Sequence, residues 1–208
     1  MKFEGFNQSD FDVFQIEGLD ERMSAIRERI QPKFKAIGNV LTDDLSAIAG
    51  NEMYLHIAKH ARRTKNPPKD TWLAIANNKR GYKKHPHFQI GIFDDHVFIW
   101  LAYIYELPHK TEIANGFLKD IISFRNTIPS DYVISLDHTQ KSAQSLADID
   151  LQSALERFRD VKKGEFLIGK HIAANDPLLQ NGDEFLKVVK TTFETVLPLY
   201  QKSISLPV

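Results

Sequence analysis

The 208-residue chain contains no cysteine. Disulfides, iron–sulfur clusters, thiol catalysis and cysteine-bearing zinc sites are therefore excluded. Its longest unbroken apolar run, Val97 to Tyr105, has nine residues, short of the roughly 18 that a membrane-spanning helix needs. The N-terminal stretch MKFEGFNQSDFD carries acids and no apolar core, so it does not read as a secretory signal. No GxxxxGK[ST] loop, no GxGxxG after a strand, no GxSxG elbow, no HExxH helix and no calcium-loop signature occurs. The common NTPase, dehydrogenase, hydrolase and zincin classes lose their usual markers. There is no internal repeat and no long Gly/Ser/Pro linker. What remains is ordinary globular composition, 42% hydrophobic and 26% charged, which argues against disordered and low-complexity classes. One cytoplasmic domain spanning residues 1–208 is expected.

Net charge is zero, but its distribution is uneven. Between Lys59 and Lys84 lie nine basic residues and one acid, Asp70, a net charge of +8 against −8 for the rest. A concentrated positive field attracts phosphates, nucleic acid or acidic metabolites. The plainer expectation is a solvated loop whose cations pair with the acidic remainder, since exposed pairs contribute little.

Hydrophobic spacing predicts the elements. Phe11 to Glu17 reads as a short strand. Asp20 would cap a helix starting at Glu21 and carrying Met23, Ile26, Ile30, Phe34, Ile37 and Leu41, with a kink or restart at Pro32 and a stop at Gly50. Strands follow at Met53–Ile57, Trp72–Ala76, His87–Phe93 and Val97–Tyr105, the last two joined by a tight turn at Asp94-Asp95-His96. Thr111 would cap a helix through Phe124. Tyr132–Leu136 and Phe166–Ile172 are two further strands. Asp148 or Asp150 would cap one helix, and Asp183 the last. The pattern predicts an α+β class: a single domain with a mainly antiparallel central sheet of about six strands flanked by about four to five helices.

Three constellations could carry chemistry. In Leu55–Trp72, alternation would put His56, His60 and Arg62 on one strand face. Arg63 and Lys69 follow on a loop stiffened by Pro67-Pro68, whose forked and ammonium donors suit anions. In Lys79–Gln89, Gly81 permits a turn flanked by Lys79 and Arg80. Tyr82 there could stack on a nucleobase, and His87 and Gln89 would line a polar pocket. Third, Asp137 and His138 close a strand, with Lys163 in a nearby turn. Neighbours in a strand point to opposite faces, so Asp137 and His138 are not by themselves a dyad. His85 and His87 could share a metal at about 6–7 Å of backbone separation. No carboxylate completes that site locally, so no metal and no cofactor is expected.

The segments FDVFQIEGLDERM, HIAKHARRTKNPPKDTW, KRGYKKHPHFQIGIF, LDH at Leu136–His138 and VKKGEF at Val161–Phe166 together resemble the YktB-like proteins of low-GC Gram-positive bacteria. The resemblance runs from about Phe6 to Tyr200. It implies one compact α+β domain with a central sheet and cytoplasmic residence, and it brings no catalytic residues. His85 does not belong to that pattern.

Function therefore rests on the residues. A basic strand–loop face is expected to bind a phosphorylated or anionic ligand, a nucleotide or single-stranded nucleic acid, and no membrane. One alternative is an enzyme in which His56, His87 or His138 acts as acid or base on an anionic substrate; a His within hydrogen-bond reach of Asp137 or Glu165 would favour it. Another is a protein-interaction module. Composition leaves the oligomeric state open.

Overall fold

The computed structural model describes residues 2–205. Seven strands form one sheet: β1 (Tyr54–Ile57), β2 (Thr71–Ala76), β3 (His87–Ile92), β4 (His96–Tyr103), β5 (Val133–Ser135), β6 (Gln144–Ser145) and β7 (Phe166–Ala173). Their order is β1-β2-β3-β4-β7-β5-β6, and every pairing is antiparallel. The α+β expectation holds. The additional strand, β6, has two residues, too few for an alternating pattern to register.

Helical segments are α1 (Gln8–Phe11), α2 (Leu19–Ala25), α3 (Gln31–Ala49), α4 (Lys110–Leu118), α5 (Ile121–Thr127), α6 (Leu151–Asp160) and α7 (Gly182–Ile204). The strand expected at Phe11–Glu17 is instead α1 followed by a 3₁₀ turn, Asp12–Gln15. A capping box explains it: the Asn7 carboxamide oxygen accepts the Ser9 amide at 3.0 Å, and Asp10 Oδ2 accepts the Asn7 amide at 2.8 Å. Phe11, Val13 and Phe14 are all buried, a grouping that alternation does not produce. Between α2 and α3 a π-helical turn, Ile26–Ile30, precedes Pro32. Proline donates no N–H, so the restart falls where the spacing placed it. Gly50 ends α3 in the left-handed region at φ 72°.

Period-two alternation divides the sheet into two faces. Leu73, Ile75, Phe88, Ile90, Ile99, Leu101 and Ile168 point into the main core with residues of α3 and α7. The opposite face carries Phe98, Trp100, Ala102 and Leu167 as a smaller apolar cluster, with Trp72 and Val133 packed beside it. Along the same strands this second face also carries His56, His87, Gln89 and His171. The helices take the first face, and polar side chains and loops populate the second.

Candidate functional site

The basic segment is divided by the strands it connects. Its second half, residues 77–86, turns tightly. The Asn78 side chain accepts the Arg80 amide at 2.8 Å, and the Tyr82 carbonyl accepts the His85 amide at 2.9 Å. This loop and the edge strand β1 flank an open cleft of about 740 Å³ lined by His56, Lys59, Arg80, Tyr82, Lys83, Lys84 and one acid, Glu106. His56 Nε2–H donates to the Asn78 carbonyl at 2.9 Å, tying strand to loop. Tyr82 is half-buried. Its hydroxyl accepts the Trp72 indole N–H at 3.0 Å, and its ring lies against His56 and His87. Burial pushes the Tyr82 phenol up. Tyr82 therefore forms a wall of the cleft.

Among the described residues, only Lys83 of the nine cations in residues 59–84 forms an ion pair, with Glu106 at 3.2 Å. Apart from Lys59, the first half of the segment lies outside the cleft lining. Arg62, Arg63 and Lys69 are exposed on the loop between β1 and β2. The Arg63 guanidinium donates to the Asn66 carbonyl at 3.4 Å. The single strand face expected for His56, His60 and Arg62 does not form. β1 ends at Ile57, and His60 adopts φ +49°. The His60 ring meets the Thr71 hydroxyl at 3.1 Å and lies edge-on to Trp72. Burial, with the nearby Arg63 charge, lowers its pKa to about 4. Lys79 is exposed outside the cleft lining, and Lys163 is exposed in the turn before β7.

Beneath Tyr82 the sheet floor is polar. His87 is fully buried and Gln89 is 3% exposed. The His85 carbonyl can only accept, so His87 Nδ1–H donates to it at 2.7 Å. Nε2 then accepts the Gln89 amide at 2.8 Å. Burial drives the His87 pKa to about 3. With both ring nitrogens engaged, and His85 outside the strand, the paired-histidine metal arrangement does not form.

Asp137 and His138 do not close a strand as expected: β5 ends at Ser135, and in the turn that follows they are not hydrogen-bonded to each other. Asp137 Oδ1 accepts the Thr139 amide at 2.9 Å. His138 turns to Glu165, a carboxylate that is 3% exposed. His138 Nδ1 lies 2.7 Å from Glu165 Oε2, and the His138 backbone amide donates to the same oxygen at 2.8 Å. The Tyr105 amide donates to Glu165 Oε1 at 3.3 Å. The His138 ring also stands 6.3 Å from the Trp72 ring. Burial alone would lower the His138 pKa. The hydrogen bond to Glu165 and the charges of Glu165, Asp70 and Asp137 outweigh it, and the net shift is upward.

Two participants escaped the sequence reading as site residues. Asp70 stood out only as the lone acid of a basic run, yet it is 7% exposed. Burial raises its pKa to about 6, against the opposing charges of His138 and Arg63. The pair His96 and His171, with ring centroids 4.1 Å apart, was also missed. Asp95 Oδ1 meets His96 Nδ1 at 2.7 Å, whereas His96 Nε2 is buried without a partner among the described residues. Pairing of β4 with β7 creates this contact across 75 residues of sequence, so no local spacing signals it.

Residues 6–200 match the family model described as "Domain of unknown function (DUF1054)". A UPF0637 protein of Oceanobacillus iheyensis is 64% identical over 200 residues, covering 96% of this chain and 97% of its own. One from Shouchella clausii is 58% identical over 205 residues, 99% of this chain and 97% of its own. A third, from Listeria monocytogenes, is 51% identical over 204 residues, 98% of this chain and all of its own.

Proposed function

The chain belongs to the DUF1054 family, the YktB-like group that its segments resemble, and from that premise we propose that it binds a phosphate-bearing anionic ligand in the cleft between β1 and residues 77–86. One observation carries this reading. Lys59, Arg80 and Lys84 line a single cleft and make no ion pair with any acid among the described residues. Cations left without acids have charge to offer an incoming anion, and a guanidinium adds a planar fork that matches phosphate oxygens. The cleft volume of about 740 Å³ suits a nucleotide-sized molecule. His56 and the Tyr82 ring supply a polar edge and an aromatic wall beside the cations. Arg62, Arg63 and Lys69 form a separate exposed group that would enter only with a longer, polymeric ligand.

Fluorescence polarisation with labelled ATP and a labelled single-stranded oligonucleotide, each across a salt series, tests the reading. A nucleotide-sized ligand predicts ATP binding that Arg80→Ala and Lys84→Ala each weaken about tenfold, the loss of one charged hydrogen bond. An oligonucleotide ligand predicts a steep salt slope, about −0.7 per phosphate contact for single strands. Arg63→Ala and Lys69→Ala would then flatten that slope. Absence of binding to either probe at low salt, or binding unaffected by Arg80→Ala and Lys84→Ala, overturns the proposal.

A further inference from the structure

The sheet ends in two edges. At one, β6 has only two residues; at the other, β1 has four and pairs with β2 alone. The Ala58 amide donates to the Trp72 carbonyl at 2.9 Å, which fixes the phase of the β1–β2 ladder. Antiparallel hydrogen bonding alternates along a strand. Tyr54 and His56 therefore bond to β2, whereas the N–H and C=O of Leu55 and Ile57 point outward. Among the described residues no side chain bonds these outward groups. The contacts from α3 fall on either side of them: Ser46 Oγ accepts the Met53 amide at 3.0 Å, and the Gln31 carboxamide donates to the Ala58 carbonyl at 3.2 Å. The open edge is thus clamped to α3 at both ends, and a held strand has little freedom to lose on pairing.

There is room on both sides of this edge. On the second face lies the cationic cleft beside residues 77–86. On the first face α3 and β1 flank a smaller cleft of about 300 Å³, lined by Gln31, Lys35, Asn39, Leu55, Ile57 and Lys59. Leu55, Ile57 and Lys59 line both, so the two clefts meet along the outer edge of β1. Their walls differ. Toward the first face the half-buried side chains of Leu55 and Ile57 extend the margin of the core. On the second face stand Arg80 and Lys84, and Lys59 lies where the clefts meet; none of the three has an acid partner among the described residues.

We propose that the outer edge of β1 takes an added strand from an acidic protein segment in which acidic and apolar residues alternate. The backbone of that strand bonds Leu55 and Ile57. Its apolar side chains pack on theirs, and its carboxylates, on the other face, meet Lys59, Arg80 and Lys84. Charge selects this occupant over a second copy of the chain. Two copies joined edge to edge about a two-fold axis would set both 77–86 loops, each with Lys79, Arg80, Lys83 and Lys84, on the same side of the joint sheet. Cations at an edge oppose such self-pairing and leave an acidic strand free to add. The proposal is carried by the backbone edge and does not rest on the phosphate reading, although the two ligands would compete for the same cations.

A labelled peptide alternating Glu and Val, followed by fluorescence polarisation and by amide hydrogen exchange of the full chain, tests this. The controls are a Lys–Val alternating peptide and a peptide with the same Glu and Val residues in two blocks. The alternating acidic peptide should bind saturably and slow exchange at the Leu55 and Ile57 amides, and both controls should bind more weakly by about tenfold. Ile57→Pro removes one outward donor and keeps the bonds to β2, a placement that edge strands tolerate; it should weaken the acidic peptide about tenfold. If that variant does not fold, exchange at the two amides of the unaltered chain still decides. Lack of saturable binding, binding that leaves both amides unprotected, equal binding of the block peptide, or undiminished binding to folded Ile57→Pro overturns the proposal. So does protection that appears on raising the protein concentration without peptide, which gives the edge to a second copy. ATP binding without peptide binding overturns this proposal alone, and peptide binding without ATP binding overturns the nucleotide reading of the cleft alone.

Discussion

His87 has its ring between the His85 carbonyl and the Gln89 amide, with no exposed surface. Gln89→Leu would strip the donor from a buried ring nitrogen, and urea unfolding should register a loss of about 1–3 kcal/mol. Three imidazoles, His60, His87 and His171, have folded pKa values near 4, 3 and 3, each lowered first by burial. Unfolded, they protonate near 6.5. Below that value the unfolded chain binds more protons, so their contribution is complete above pH 6.5 and drains away as pH falls toward 3. Asp70 acts in the opposite sense. Its folded pKa of about 6 exceeds the ordinary 3.8, so acid relieves it between those values, and His138, whose pKa is raised by Glu165, also gains as pH falls, two groups against three. The urea midpoint should therefore drop between about pH 7 and pH 4. A midpoint that holds level would contradict the burial assigned to these rings. The residue types of the candidate site were visible in the sequence. Their partners were not, because Glu165 meets His138 across 27 residues and a local pattern carries no such distance.

Several helix starts were legible to within a residue or two, but the helix expected from a Thr111 cap through Phe124 is broken into α4 and α5 with Thr111 inside α4, and the cap identities were legible only in part. Asp150 caps α6 as expected, its Oδ1 accepting the Ser153 amide at 3.1 Å. For α7 the cap is Asn181, which accepts the Glu184 amide at 3.1 Å, and the expected Asp183 lies two residues further in. Helix α2 likewise begins at Leu19 with Gly18 at the cap position, two residues before the expected cap Asp20. Several polar residues stood near each start, and only the backbone angles choose among them. Asn181→Ala should destabilise by about 1 kcal/mol, and Asp183→Ala, which loses only an exposed contact to Lys2, by less than about 0.5 kcal/mol. Thermal melting of the two variants separates them. Within the sheet, a Cβ at Gly91 would fall inside the Phe98 ring, whereas one at Gly169 would strike the Ile99 carbonyl of the neighbouring strand. Phe98 can shift and the strand backbone cannot. Gly91→Ala should cost about 1–3 kcal/mol and Gly169→Ala more, as measured by urea midpoints.

For the whole molecule, the order β1-β2-β3-β4-β7-β5-β6 places β7 inside the sheet, between β4 and β5, although it is last in sequence. That insertion brings Glu165 to His138 and His171 to His96. The same topology divides the +8 segment. Residues 77–86 fold against β1 with Lys59, while Arg62, Arg63 and Lys69 stand out on the neighbouring loop. Salt should therefore weaken a small anion in the cleft modestly and a bound single strand steeply, since the slope counts phosphate contacts. The amino-acid sequence by itself determined the α+β class, the antiparallel middle, most strand positions and the segregation of cations, because alternation, helical spacing and composition act between near neighbours. Only the tertiary structure decided which polar groups meet: the cleft that gathers three unpaired cations, the carboxylates around His138 and the buried histidine pair. Those meetings depend on strand order and on which loops cross which face, and both are settled by the free energy of burying the entire core at once.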